Sequence, residues 1–127
     1  MSKQMSRQMS KLTLYGIPNC NQVKSARDWL EQHGFDYAFH DYKKQGVPLE
    51  RLNDWIQQSG LEKVVNRKGT TWRTLDDAQR QQCETLQGAM NVLQNNASLI
   101  KRPILENTAH QLLCVGFDAH EYSQQLK

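Results

Sequence analysis

Near the start of the chain, a short apolar strand, a tight turn, an amphipathic helix and a second strand follow one another within some thirty residues. Leu12–Ile17 is an unbroken apolar-rich run, ended by Gly16 and Pro18. From Asn21 to about His33, the residues Val23, Ala26, Trp29 and Leu30 recur at helical spacing, and Gly34 supplies the stop. Tyr37–Tyr42 is aromatic-rich and alternating, the pattern of a second strand. Strand, helix and strand in so short a span predict a right-handed βαβ unit with parallel strands. That unit commits the chain to an α/β fold.

The pattern then turns helical. Gly46-Val47-Pro48 opens a helix with proline in its first turn; Leu49, Leu52, Trp55 and Ile56 share one face, and Gly60 closes it. Helical periodicity runs on to Asn96, broken by a loop at Arg67-Lys68-Gly69-Thr70-Thr71. Ala89, Met90, Val92 and Leu93 mark a further helix. Pro48–Ser98 reads as a helical insertion into a single domain over residues 12–127, too short to hold a core alone. Strand character returns at Pro103-Ile104-Leu105. A turn near Glu106-Asn107-Thr108 leads into Gln111–Val115, so these two runs form a hairpin. Asp118 with Glu121 predicts a capping box for a last helix carrying Tyr122 and Leu126. The predicted order is β-α-β, helical insertion, β-β-α, with a mixed sheet.

At 127 residues the chain suits one domain. No stretch approaches the roughly 20 apolar residues that span a bilayer. Residues 1–11 carry charge but no apolar core of a secretory signal, and read as a disordered tail. The three cysteines, Cys20, Cys83 and Cys114, are widely spaced and odd in number. Reduced thiols in a cytoplasmic protein fit that pattern better than a disulfide scaffold. The net charge of +3 is too small to argue for nucleic acid as a partner by itself, and the basic residues are scattered. The four histidines show no ligand spacing, so no metal site is expected. A monomer is expected.

Cys20 carries the chemistry. It follows Pro18-Asn19 and opens the first helix, beside Asn21 and Gln22. A thiol there meets unpaired backbone N–H groups and the positive end of the helix dipole, both of which favour the thiolate. Lys24, one turn on, is a candidate for further positive potential. Val23 stands where the second cysteine of a C-x-x-C pair would be, so an internal dithiol is excluded at this turn. Cys114 lies in the apolar run Leu112-Leu113-Cys114-Val115 and reads as core; Cys83 lies in a polar helical stretch and reads as partly exposed, with nothing to activate it. Arg102-Pro103 is the second notable pair. The proline forces Arg102 into extended conformation, and a strand beside the Cys20 turn would bring its guanidinium to an anion there. Arg67 is a weaker candidate of the same kind.

Tyr15-Gly16-Ile17-Pro18-Asn19-Cys20-Asn21-Gln22-Val23-Lys24-Ser25-Ala26-Arg27-Asp28-Trp29-Leu30, Asp41-Tyr42-Lys43-Lys44-Gln45-Gly46 and Lys101-Arg102-Pro103-Ile104 together resemble the ArsC/Spx family, most nearly its YffB-like branch. The resemblance covers nearly everything after Lys11. It implies a thioredoxin-like fold with a helical insertion. In the family's arsenate reductases the first cysteine attacks arsenate, glutathione resolves the adduct and three arginines hold the oxyanion. By that resemblance Cys20 is the nucleophile, Arg102 the arginine of an Arg-Pro-Ile strand whose proline is usually cis, and Arg67 the arginine of the insertion. The third arginine should follow the last strand, where this chain runs Cys114-Val115-Gly116-Phe117-Asp118. Spx regulators usually carry C-x-x-C at the first turn, and Val23 departs from that. The YffB-like branch implies a glutathione-dependent thiol reductase, with glutathione as co-substrate and a protein disulfide or an oxyanion as acceptor. The expected anion site is Arg102, Arg67, Asn19, Asn21, Lys24 and Pro103 around Cys20. The alternatives are an Spx-like regulator that binds RNA polymerase without turnover, or a weak arsenate reductase.

Overall fold

The structure is a computed structural model that describes residues 12–126; the tail expected at residues 1–11 lies outside them. The chain divides into two compact units. Among the described residues, one combines 12–45 with 102–126, and the other is Gly46–Lys101.

The first unit is built on a four-stranded mixed sheet in the order β2-β1-β3-β4. Strand β1 (Leu12–Gly16) pairs in parallel with β2 (Ala38–Asp41), with Leu14 opposite Phe39. On its other side β1 runs antiparallel to β3 (Ile104–Asn107), with Tyr15 opposite Ile104. Strand β3 pairs antiparallel with β4 (Leu112–Val115) as the predicted hairpin. The register steps from Leu105–Cys114 to Glu106–Leu112, so Leu113 is the extra residue of a bulge. Helix α1 (Asn21–Gln32) connects β1 and β2 and buries Val23, Ala26 and Leu30. Those residues recur at helical spacing, which is why this segment folds as a helix and which face it turns to the sheet. Leu12, Leu14, Ala26, Leu30, Leu105, Cys114 and Tyr122 form one core cluster. A Cβ on Gly16 would lie 2.8 Å from a Val23 methyl. The missing side chain lets the first turn of α1 close on the end of β1, which sets the position of the intervening Cys20 turn.

Two of the departures from the sequence expectation share one physical reason. Tyr42 does not extend β2 but opens a short helix α2 (Tyr42–Gln45). Asp41 ends the strand there because its carboxylate accepts from the Lys43 N–H at 2.8 Å. Likewise β3 continues through Glu106 and Asn107, and the turn falls at Thr108 and Ala109. The Asn107 side chain fixes it by accepting from the N–H groups of Ala109 (2.9 Å) and Gln111 (3.0 Å). Helix α8 (Ala119–Gln125) starts where expected, with the Asp118 side chain accepting from the Glu121 N–H at 3.0 Å.

The second unit is helical, from α3 (Leu49–Ser59) through α4 (Leu61–Val64), α5 (Thr70–Thr74) and α6 (Asp77–Gln82) to α7 (Leu86–Asn95). Pro48 is the N-cap of α3 rather than part of its first turn, and Gly60, at φ +95°, ends it. Thr70 and Thr71 belong to α5, so the predicted loop ends at Gly69. Asp76 and Gln79 form a capping box on α6. An antiparallel bridge between Val65 and Ile100 closes the unit, flanked by bonds from Asn66 N–H to the Leu99 carbonyl (2.7 Å) and from Lys101 N–H to the Val64 carbonyl (2.8 Å). Leu52, Trp55, Val64, Cys83, Ala89, Leu93, Leu99 and Ile100 are buried here. No helix among the described residues is long and apolar enough to cross a membrane.

Candidate functional site

Cys20 is the N-cap of α1, in extended conformation, and its thiol is free and partly buried. The Lys24 N–H already bonds the Cys20 carbonyl at 3.0 Å. That leaves the amides of Gln22 and Val23 for the sulfur. The side chain makes no tight oxygen-like cap, but both amides face it closely enough to act on its charge. Partial burial disfavours the thiolate. Hydrogen bonds from the Val23 N–H, the Arg102 side chain and the Gln22 N–H, with the Arg102 charge, outweigh it and bring the pKa below the ordinary thiol value. The reach of Arg102 comes from sheet register. Tyr15 on β1 opposes Ile104 on β3, so the segment leaving β1 and the segment entering β3 emerge at one end of the sheet.

Of the other predicted residues, Pro103 is buried: the Arg102–Pro103 peptide is cis, and the Pro103 carbonyl accepts from the Gly116 N–H at 2.8 Å. Asn19 and Asn21 flank Cys20 and are exposed. Lys24 is exposed on the outer face of α1, in a shallow depression with Arg27, Asp28 and Glu31. It is not among the groups that act on the sulfur. Arg67 belongs to the helical unit, where its guanidinium carbon lies 5.4 Å from the Trp72 ring centre and Nη1 lies 3.9 Å from Glu62. Gln22 contributes more than its amide: its side-chain oxygen accepts from the Phe117 N–H at 3.4 Å, tying the Cys20 helix to the chain after β4.

Cys83 is fully buried, not partly exposed; burial raises its pKa, and the nearby Arg67 charge only partly opposes that. Cys114 is buried, as its apolar neighbours predict. Among the described residues no cluster of three or more His, Cys, Asp or Glu is arranged to hold a metal ion.

Sequence reasoning missed a buried polar cluster in the same unit. Glu106, only 1% exposed, accepts from the Tyr15 hydroxyl at 2.6 Å and faces His110 Nδ1 at 3.7 Å. The Tyr15 ring stacks with Tyr42 (centroids 6.5 Å apart) and lies 5.0 Å from that of His40. One signal was available: a lone glutamate in Ile104-Leu105-Glu106-Asn107, directly after an apolar pair.

The lowered Cys20 pKa has a direct readout. The rate of iodoacetamide alkylation should rise with pH about a midpoint below the ordinary thiol value, and Arg102→Ala should move that midpoint upward. An ordinary midpoint in the wild-type protein would contradict the geometry.

Residues 15–125 match the ArsC family. A solved YFFB protein is 39% identical, with a TM-score of 0.81 over 91% of this chain and 99% of its own. An arsenate reductase (ArsC) related protein from Brucella melitensis is 40% identical, with a TM-score of 0.70 over 92% of this chain and 95% of its own. The global transcriptional regulator Spx of Listeria innocua is 26% identical, over 87% of this chain and 82% of its own length. A thioredoxin-like mixed sheet, a family match over nearly the whole described chain and close likeness to solved relatives point one way: this chain belongs to the ArsC family.

Proposed function

We propose that the protein is a monothiol, glutathione-dependent thiol reductase centred on Cys20. The observation that carries this reading is the Cys20 sulfur at the start of α1 with the Arg102 guanidinium beside it. In the forward step the Cys20 thiolate attacks one sulfur of a disulfide; a Cys20–S bond forms, the old S–S bond breaks, and the leaving thiolate carries away the electron pair. Arg102 neutralises a carboxylate of glutathione, and Arg67 is proposed as a second anion contact. Asn19, Asn21, Lys24 and Pro103 are proposed as lining. Cys83 and Cys114 are buried, so an external thiol resolves the adduct: where the adduct is Cys20–glutathione, a glutathione thiolate attacks its glutathione sulfur, oxidised glutathione forms, and the Cys20 thiolate leaves with the electron pair.

Incubation with oxidised glutathione followed by intact-mass measurement tests this. One added glutathione, mapped to Cys20 and removed by reduced glutathione, is the expected result; an unmodified protein overturns it. Arg102→Ala should leave the fold intact and weaken glutathione binding by about 1.5–3 kcal/mol, the value of a hydrogen bond to a charged group. NMR titration of both proteins with reduced glutathione measures the difference, and equal affinities would remove Arg102 from the site.

The likeness to Spx supports a second reading, a regulator that binds RNA polymerase without turnover. Val23, in place of the second cysteine of Spx-type switches, favours the first. Co-purification with RNA polymerase subunits, set against a glutathione-coupled assay, separates the two.

A further inference from the structure

The outer face of α1 carries Lys24, Arg27, Asp28 and Glu31 in one stripe at helical spacing. The helix buries Val23, Ala26 and Leu30 on its other side, so the stripe serves no core. It lines a depression of about 280 Å³. Ion pairs one turn apart, Lys24 with Asp28 and Arg27 with Glu31, are the ordinary use of such a stripe. Neither pair closes as a salt bridge among the described residues.

Tyr37 holds Arg27 and Glu31 apart. Arg27 Nε donates to the Tyr37 hydroxyl at 3.0 Å, and that hydroxyl donates to Glu31 at 2.7 Å. The Arg27 guanidinium carbon also lies 4.4 Å from the centre of the Phe39 ring on β2. A ring against one face and a phenol at Nε fix the guanidinium in place. Its two Nη groups are left over, with no hydrogen bond to them among the described residues. The side chains of Lys24 and Asp28 are exposed beside it, likewise without a partner among the described residues.

A fixed guanidinium with its Nη edge free suits a carboxylate, which it grips with two parallel bonds. Lys24 adds a second cation. Charge decides what else the ligand carries. A phosphate would press its charge against Asp28 and Glu31 unrelieved, whereas a ligand with one carboxylate and a neighbouring ammonium answers both signs. Size agrees, because 280 Å³ falls below the roughly 300–1,000 Å³ of sites for drug-sized ligands. We propose that this stripe binds an α-amino-acid head group, its carboxylate on Arg27 and Lys24 and its ammonium on Asp28. Free amino acids and the γ-glutamyl end of glutathione share that chemistry. The site makes no use of the Cys20 sulfur and goes beyond the thiol chemistry proposed above.

The test is NMR titration of the isotope-labelled protein, at constant pH and salt, with L-glutamine, with N-acetyl-L-glutamine and with S-methylglutathione, which has no thiol to exchange. L-Glutamine should shift the amides from Lys24 to Glu31 and the Arg27 Nε–H resonance to saturation. Acetylation removes the ammonium and should weaken binding about threefold, the scale of one exposed ion pair. In Asp28→Asn, an exposed position outside the core, that gap should close; a merely general field would strengthen both ligands alike and leave the gap as it was. Arg27→Lys keeps the charge and removes the fork, and should weaken L-glutamine about fivefold. Absence of a saturable shift overturns the proposal. So does equal affinity for L-glutamine and its acetyl derivative, a gap that persists in Asp28→Asn, or an unchanged affinity in Arg27→Lys. S-Methylglutathione binding the stripe more tightly than L-glutamine supports the proposal with the γ-glutamyl end of the thiol as ligand; equal binding supports it with free amino acids. Shifts from S-methylglutathione confined to the Cys20 turn, with none from L-glutamine on the stripe, overturn this inference and leave the glutathione reading in place.

Discussion

Cys20→Ser is expected to lose all covalent uptake of glutathione, with no residual slow phase. A serine hydroxyl at the same place meets the same amides and the same arginine, but it is not ionised near neutral pH and does not exchange with disulfides. The other two thiols offer no substitute. Cys83 and Cys114 are 0% and 2% exposed, and burial pushes the Cys83 pKa up. The fold should be unaffected, because Cys20 sits in a partly exposed turn and belongs to no core cluster. Intact-mass measurement after incubation with oxidised glutathione decides the point. A Cys20→Ser protein that still gains one glutathione would move the reactive thiol elsewhere.

Arsenate reduction by the purified protein should run about 100–1,000-fold below that of a relative with a full set of three arginines, the cost of losing one preorganised oxyanion donor. The family resemblance puts the third arginine after the last strand. Here that segment is Gly116-Phe117-Asp118, and the Phe117 N–H is already directed to the Gln22 side chain. Its one charged side chain, Asp118, caps α8 and carries the wrong sign for an oxyanion. Glutathione-coupled arsenate turnover, compared side by side with such a relative, is the measurement. Comparable rates would show that two arginines suffice.

The parts of the fold legible in the sequence are those in which a local period decides the outcome. Val23, Ala26 and Leu30 write α1 into the chain, and the same periodicity with Gly60 writes α3. The exchange of strand for helix at Tyr42, and the displacement of the turn past Asn107, were not legible. In both places one side chain, Asp41 or Asn107, bonds a backbone amide two residues on, and apolar periodicity does not register such a bond. The site divides along the same line. The helix-capping position of Cys20 is a local fact, readable from Pro18-Asn19-Cys20 and the helical period that begins at Val23. The company of Arg102 depends on the register of β1 against β3, and Tyr15 meets Glu106 across 91 positions of chain. The Arg-Pro pair and the family resemblance both pointed to Arg102; neither periodicity nor resemblance pointed to the buried pairing of Tyr15 with Glu106.

The pairing of β1 with β3 also sets when the thiol becomes reactive. The amides of Gln22 and Val23 come from its own helix and are present as soon as that helix forms. Arg102 comes from the far side of the whole helical segment, and the β1–β3 pairing cannot close until β3 exists. A chain still emerging from the ribosome, or one opened at that strand pair, therefore carries Cys20 without its guanidinium. The nascent cysteine is guarded by its own incompleteness: full nucleophilicity arrives only with the folded protein that is able to use it.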